Sequence, residues 1–469
     1  MKNLFAFLTL TASIALAQTK PNILFLYTDD QSYEAVRSIG NIDIDTPNLD
    51  RLAASGSTFT HTYNMGAWHG AVCVASRTML VTGRTVWRAK NLEKNLKAEV
   101  TAGNLWPQRM AKQGYDTYFS GKWHISADVT KAFHTVVNKR NGMPPAVDHG
   151  YNRPISGQPD PWSPFDHTNG GHWQGGKHWS EVLGDDSIAF IEKAAISEKP
   201  FFMYLAFNAP HDPRQSPKEY VDRYPIDRIP TPQNFLPEYP EKDAIGAGKD
   251  LRDEKLAPFP RDEYAVKVNR QEYYAIITHM DAQVGRILDA LKKSGKAENT
   301  WIFFTSDHGL ACGHHGLMGK QNMYDHSLRV PFIVSGPSVP QGKKIASPIH
   351  LQDVMATALD LAGADKSNIE FQSLLPLLQG EKSTMNAVYA AYMNSQRAVI
   401  ENDWKLILYP KAKVVKLFNL KLDPQEKTNL SADPALMPKK QALFATFQAL
   451  QKKYADELDL ATAFPELVK

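Results

Sequence analysis

The sequence predicts an α/β fold: a large, mainly parallel central sheet flanked by helices, then a smaller C-terminal antiparallel sheet with one helix. Three observations predict it. From residue 21 to about 378, short apolar runs alternate with helical stretches, the pattern of a sheet covered on both faces. From about residue 381 the texture changes to closely spaced β-rich segments and a closing amphipathic helix. With 469 residues, the chain is long enough for a large core and more than one domain.

Residues 1–17 read as a removable export signal. Lys2 gives the positive start, residues 4–16 the short apolar core, and Ala15-Leu16-Ala17 the small-residue cleavage pattern before Gln18. No apolar run is long enough to span a bilayer, so the expected product is exported, periplasmic or secreted. Removing Lys2 from the 53 Lys and Arg leaves 52 against 50 Asp and Glu. That near-neutral balance argues against a nucleic-acid partner. Cys73 and Cys312 are the two cysteines, which excludes a disulfide framework and leaves one bridge open.

Strands are expected at 22–27, 116–120, 201–207, 300–306 and 331–335, and helices at 46–54, 104–113, 184–193, 272–292 and 351–362. Segments 131–180 and 210–262 are rich in Pro, Gly, Trp and His, and loops of that length are usually functional. Further strands are expected at 398–400, 404–409 and 414–418, and a helix at 438–458. The expected division is residues 18–380 for the α/β domain and 381–469 for the α+β subdomain.

Ligand sites in open α/β sheets lie beyond the carboxyl ends of the strands. Four expected strands end there in polar residues: Asp29-Asp30, Lys122-Trp123-His124, Asn208-Ala209-Pro210-His211, and Asp307-His308. Asp29, Asp30 and Asp307 need a cation to offset their repulsion, and oxygen ligands point to Ca²⁺ or Mg²⁺ rather than zinc. In an extended segment Lys122 and His124 face the same way and can address one anion. Lys320 brings another cation soon after Asp307. Cys73 lies where a helix begins, with Arg77 one turn later and Gly83 placed to end it, so free N–H groups and the dipole would favour negative charge there. Together these describe a hard-metal site with a nucleophile candidate and several cations, suited to a tetrahedral oxyanion ester.

With these pieces in place the chain resembles the type I, formylglycine-dependent sulfatases of the alkaline phosphatase superfamily. The matching pieces include Cys73-Val74-Ala75-Ser76-Arg77, Leu80-Val81-Thr82-Gly83-Arg84, Gly121-Lys122-Trp123-His124, Thr305-Ser306-Asp307-His308-Gly309 and Gly319-Lys320. They run in family order over nearly the whole mature chain. The resemblance departs at Ala75, where Pro is the commoner residue.

The resemblance implies an alkaline-phosphatase-like fold and a sulfuric ester hydrolase whose Cys73 is oxidised to formylglycine by a maturation enzyme. It implies Ca²⁺, with Mg²⁺ second, bound by Asp29, Asp30, Asp307 and His308 together with residue 73. It casts Arg77, Lys122 and Lys320 as offsetting sulfuryl charge, His211 with Lys320 as protonating the departing alcohol, and His124 as base for the hydrate's second hydroxyl. Cys312 has no such role and is expected as a buried free thiol; Cys312-Gly313-His314-His315 lacks a full tetrahedral zinc set.

Trp68 and His69 stand just before Cys73, and the long loops carry Trp162, His167, His172, Trp173, His178 and Trp179. Aromatic faces suit sugar rings, so the expected substrate is a sulfated carbohydrate, an algal polysaccharide or a glycosaminoglycan. Trp68, His69, His172 and His178 are its expected contacts. Two alternatives stay open: a phosphomonoester or phosphodiester hydrolase of the same superfamily, and a catalytically silent glycan-binding protein.

Overall fold

The computed structural model describes residues 20–40 and 42–468; the expected export signal at 1–17 lies outside them. Strands follow in chain order as β1 (Asn22–Thr28), β2 (Ser57–Phe59), β3 (Thr62–Tyr63), β4 (Gly66–Ala67), β5 (Asp116–Lys122), β6 (Thr135–Arg140), β7 (Phe201–Ala206) and β8 (Thr300–Ser306). After them come β9 (Arg329–Val330), β10 (Phe332–Ser335), β11 (Lys343–Ile345), β12 (Ile349–His350), β13 (Val388–Tyr392), β14 (Gln396–Glu401), β15 (Trp404–Tyr409) and β16 (Val414–Asn419).

Eight of these form the main sheet, in the order β11-β2-β10-β8-β1-β7-β5-β6. All its pairings are parallel except those of β10, which runs against both β2 and β8. The continuous apolar run of β1 has a packing cause. Ile23, Phe25 and Tyr27 join Trp106, Phe202 and Leu359 on one face, while Leu24 and Leu26 join Phe190, Met203 and Ile276 on the other. Each such side chain contributes roughly 1.5–3 kcal/mol by leaving water.

Two helices start well before their expected positions. Glu263–Lys293 begins nine residues ahead of 272, because the Asp262 carboxylate accepts from Ala265 N at 2.6 Å and caps it. Its first turns mix buried Val266 and Val268 with buried Asn269 and Arg270, which hides the apolar period. Trp179–Ala195 begins five residues ahead of 184, capped by the His178 ring, which accepts from Ser180 N at 3.1 Å.

The C-terminal sheet has the order β16-β15-β14-β13-β4. Its four C-terminal strands are antiparallel neighbours, and the helix Met437–Tyr454 covers them through Phe444 and Phe447. The fifth strand, β4, comes from the N-terminal, α/β part of the chain and pairs parallel with β13. β12, β3 and β9 form a third, three-stranded sheet in that order.

Candidate active site

The polar segments meet beyond the carboxyl ends of β8, β1, β7 and β5, neighbours in the main sheet. Backbone bonds hold them there: Asp29 N donates to Ala209 O at 3.1 Å, and Asp307 N to Thr28 O at 3.1 Å. Asp30 is left-handed, with φ 69°, and its N–H donates to Asp307 Oδ1 at 3.1 Å. Lys122 ends β5, in regular register with β7 as far as Gly121; toward β6 the register shifts after Ser120, where the left-handed Asn138 of β6 is passed over. Gly121 has φ +99°, and a Cβ there would stand 1.9 Å from Ala206 O, so no larger residue fits this close approach. Cys73 is the second residue of the helix Val72–Thr82, which ends at the left-handed Gly83, as expected.

Ligand atoms of Asp29, Asp30, Cys73 and Asp307 all lie within 4.8 Å of one another. Cations interleave with them. Lys320 Nζ donates to both oxygens of Asp30, at 2.7 and 2.6 Å, and to Cys73 Sγ at 3.0 Å. Lys122 Nζ is paired with Asp29 Oδ2. Arg77 Nε donates to Asp307 Oδ2 at 2.9 Å, its Nη1 to Lys122 O at 2.9 Å, and its guanidinium covers the Tyr27 ring at 4.7 Å. His211 Nε2 stands 3.7 Å from Asp30 Oδ2.

Burial lifts the Asp30 carboxyl to about 7 against the pull of Lys320, with Asp29 and Asp307 adding to the rise. Burial and then Asp29 lift Asp307 to about 6. For Asp29, burial is overcome by Lys122, His211 and Arg77, which hold it well below the usual carboxylate range. The Cys73 thiol goes up, by burial and then by Asp29 and Asp307. A helix N-terminus alone would lower it, so burial together with the carboxylates outweighs the dipole and the unmodified side chain is a thiol, not a thiolate.

The donor set fits a hard divalent cation. Asp29 Oδ1 is buried and has no hydrogen-bond partner, an acceptor left open in the middle of three carboxylates. His308 lies outside the four-residue cluster; its Nδ1 donates to Gly309 O at 3.1 Å, and burial lowers the ring to about 3. It is therefore neutral, with its lone pair on Nε2.

His124 shares the site for a different reason than strand alternation. The extended segment ends at Lys122, and His124 is left-handed, with φ 53°. Its Nδ1 is buried without a partner, and burial followed by Lys122 lowers the ring to about 3.

The expected sugar contacts divide. His172 and His178 are fully buried, behind the turn that carries His211 rather than on an open surface. Their rings stack at 5.0 Å, and His172 Nε2 donates to His211 O at 3.1 Å, so they support the turn that carries His211. Trp68 is also buried, its indole N–H bonded to Glu93 at 2.8 Å. His69 keeps a partly exposed ring, 3.5 Å from Glu93. Both cysteines are free and buried, which closes the question of a bridge. His314 and His315 bond to Glu34 and to Glu426 O respectively.

Sequence reasoning missed Asp212, Arg252, Asp253 and Gln321, which pack against His211 and Lys320. Three of the four lie in or beside the long 210–262 loop, whose length was the available signal. A cavity of about 830 Å³ lies elsewhere, lined by His61, Tyr63, Asp325, Arg329, Glu401 and Lys421, and takes in none of the clustered residues.

Comparisons with known proteins show the family. The sulfatase family model matches residues 21–364, and a model of the C-terminal part of N-sulphoglucosamine sulphohydrolase matches 313–453. An arylsulfatase of Clostridium perfringens is 28% identical over 454 residues, spanning 88% of this chain and 90% of its own. An N-acetylglucosamine-6-O-sulfatase of Bacteroides thetaiotaomicron is 25% identical over 512 residues, spanning 93% and 87%. Among solved structures, one bound to its substrate D-glucosamine-2-N,6-O-disulfate superposes with a TM-score of 0.71 at 23% identity, covering 94% of this chain and 99% of that one. The phosphonate monoester hydrolase of Agrobacterium radiobacter shares the fold at a TM-score of 0.70 and 19% identity, covering 92% and 96%. Fold alone therefore does not choose the ester, but the family model spans most of the chain, and the chain belongs to the sulfatase family of the alkaline phosphatase superfamily.

Proposed function

We propose that this sulfuric ester hydrolase acts on sulfate monoesters of a carbohydrate, with residue 73 matured to formylglycine and Ca²⁺ held by Asp29, Asp30, Asp307 and His308. The observation that carries this is the convergence of three carboxylates, residue 73 and three cations, from separate parts of the chain, into one buried cluster. Support for the carbohydrate comes from relatives named for sugar sulfates, including the N-acetylglucosamine-6-O-sulfatase and an ulvan-active sulfatase of Formosa agariphila. The catalytic domain is proposed to span 18–380 and the C-terminal subdomain 381–469, after export to the periplasm or beyond.

Hydrated formylglycine supplies a geminal diol, one hydroxyl as nucleophile toward sulfur and the other as the group through which the ester is later released at carbon. A bound divalent cation supplies Lewis acidity toward a sulfuryl oxygen. The chain's own side chains do the rest. Arg77, Lys122 and Lys320 face the position of the sulfuryl oxygens and offset their charge, a role often worth about 3–4 kcal/mol per group. Lys320 stays charged, since Asp30 above all outweighs its burial. His211 presents Nε2 to the same point. A sulfate ester beside that ring opposes the depression by burial, so His211 and Lys320 together protonate the departing alcohol. His124, held neutral with an unpartnered Nδ1, is the base that takes a proton from the hydrate. His69, partly exposed beside the nucleophile, is the proposed sugar contact.

The test is sulfate release from matured protein, measured by ion chromatography, on an aryl sulfate and a panel of defined sulfated oligosaccharides, with an aryl phosphate alongside. Release from at least one sugar sulfate is expected. Faster phosphate turnover with no sulfate from any substrate would reject the assignment, as would formylglycine at 73 in a protein that only binds glycans.

A further inference from the structure

Behind His211 runs a chain of polar contacts that the hydrolytic scheme leaves without a task. His211 Nδ1 is 2.8 Å from the Asp212 carbonyl oxygen and 3.2 Å from Asp212 Oδ1. Both are acceptors, so Nδ1 carries a proton and Nε2 is the nitrogen turned to the site. Asp212 Oδ2 is held by Nη1 of Arg252, and Nη2 of the same guanidinium holds Asp253 Oδ1. Asp253 Oδ2 accepts from Gln321 Nε2 at 2.8 Å, and Gln321 Oε1 accepts from Lys320 N at 3.0 Å. Gln321 Nε2 also donates at 3.1 Å to Gly70 O, three residues before Cys73.

The contacts thus leave the site at the His211 ring and end on the backbone N–H of Lys320, the residue whose Nζ reaches back into the site. Asp212 and Asp253 are 4% exposed and Gln321 3%, whereas the Arg252 side chain is 34% exposed. Two buried carboxylates would repel one another without the cation between them. A planar guanidinium can hold both at a fixed separation; a lysine ammonium offers a point charge and no such fork.

We propose that Arg252, through Asp212 on one side and Asp253 and Gln321 on the other, is a positioning clamp that sets the donor atoms of His211 and Lys320 relative to one another. This rests on the donor role given to His211 and Lys320 above. As an oxygen at residue 73 bonds to sulfur, the bond from sulfur to the alcohol oxygen breaks and its electron pair stays on the alcohol oxygen, which takes a proton from Nε2–H of the cationic ring or from Lys320 Nζ. The donor is left neutral, and the Nδ1–H toward Asp212 is untouched. Misplacing a donor by about 1 Å costs up to about a hundredfold in rate.

The experiment is a leaving-group series on matured enzyme, from nitrophenyl sulfate to alkyl sulfates, for His211→Ala, Arg252→Ala and Arg252→Lys. Losing or misplacing a proton donor penalises the poor leaving groups most. His211→Ala is expected to lose about a hundredfold more kcat on alkyl than on nitrophenyl sulfate, and Arg252→Ala about tenfold more. Arg252→Lys is expected to fall between parent and Arg252→Ala. A second readout needs no turnover: ¹⁵N-histidine spectra in a Cys73→Ala background, with His211→Gln to assign the signal. The parent should show His211 protonated at Nδ1, and Arg252→Ala a shifted Nδ1 signal, as the Asp212 carboxylate is released while the carbonyl acceptor stays; an unshifted signal would overturn the clamp.

If His211→Ala is steep across the series while the Arg252 variants lose rate equally on every ester, the clamp is overturned and the role of His211 stands. If His211→Ala itself is flat, both fall. Should Arg252→Ala not fold, Arg252→Lys decides: a steeper series than the parent supports the clamp, and a parent-like one overturns it.

Discussion

Replacing Lys122 by Met tests the charge balance of the site most directly. Met keeps much of the stem's volume but removes the cation paired with Asp29 Oδ2, in a place where both side chains are fully buried. The remaining partners of Asp29 are poor substitutes: Arg77 Nη2 is 3.7 Å from Oδ1, and Arg77 Nε is already committed to Asp307 at 2.9 Å. Breaking one partner out of a buried pair costs about 3–5 kcal/mol, so the ion-free variant should lose about that much in urea unfolding with EDTA present. A divalent cation supplies Asp29 with a new partner, so Ca²⁺ should stabilise Lys122→Met more than it stabilises the parent. Turnover should nevertheless remain down by about 10²–10³, since one charge facing the sulfuryl oxygens is gone. Equal stability of variant and parent in EDTA, or an identical response of both to Ca²⁺, would refute this account of how the carboxylates are held.

Cys73→Ala and Asp307→Ala are each expected to abolish sulfate release, whereas Cys312→Ser, whose sulfur only accepts from Arg214 at 3.8 Å, should retain most of it in the same assay. Lys405 is fully buried between Asp325 and Glu426, each at 2.6 Å, and joins the two parts of the chain. Lys405→Met should therefore cost about 3–5 kcal/mol in urea unfolding. Burial lifts Asp353 to about 7 although Gln372 N and His350 N donate to it. The folded state then keeps a proton that the unfolded chain releases near pH 4, so this group's contribution falls as pH rises from about 4 to 7. Melting of Asp353→Asn, with one N–H left without an acceptor, should sit below the parent at pH 5 and close much of that gap by pH 8.

Much of the architecture was legible because β1, β5, β7 and β8 are buried on both faces and carry that burial in their composition. The reversed direction of β10 was not, since an apolar run carries no direction. β13 escaped notice because Val388–Tyr392 is rich in Ala and Tyr and has neither alternation nor branched residues beyond Val388. In the site, Asp29, Asp30, Lys122, His211 and Asp307 stood at strand ends, where sheet geometry limits what they can reach. His172 and His178 lay on a long loop with no such constraint, and composition could not separate a ring that meets a sugar from one that caps a helix. Asp212 and Arg252 were hidden for the same reason, since only tertiary contact gives them a partner.

Among the described residues, the strand β4, Gly66–Ala67, finds its only neighbour in β13, more than three hundred residues later in the chain. Trp68 to Ala71 lead straight from it into residue 73. During synthesis the approach to residue 73 thus waits, without a template, until most of the chain has been made. Shortening the protein before Val388 would do more than trim an appendage: it would unmoor the segment on which residue 73 depends, and it leaves a long interval in which that residue is open to chemistry that the finished fold shuts out.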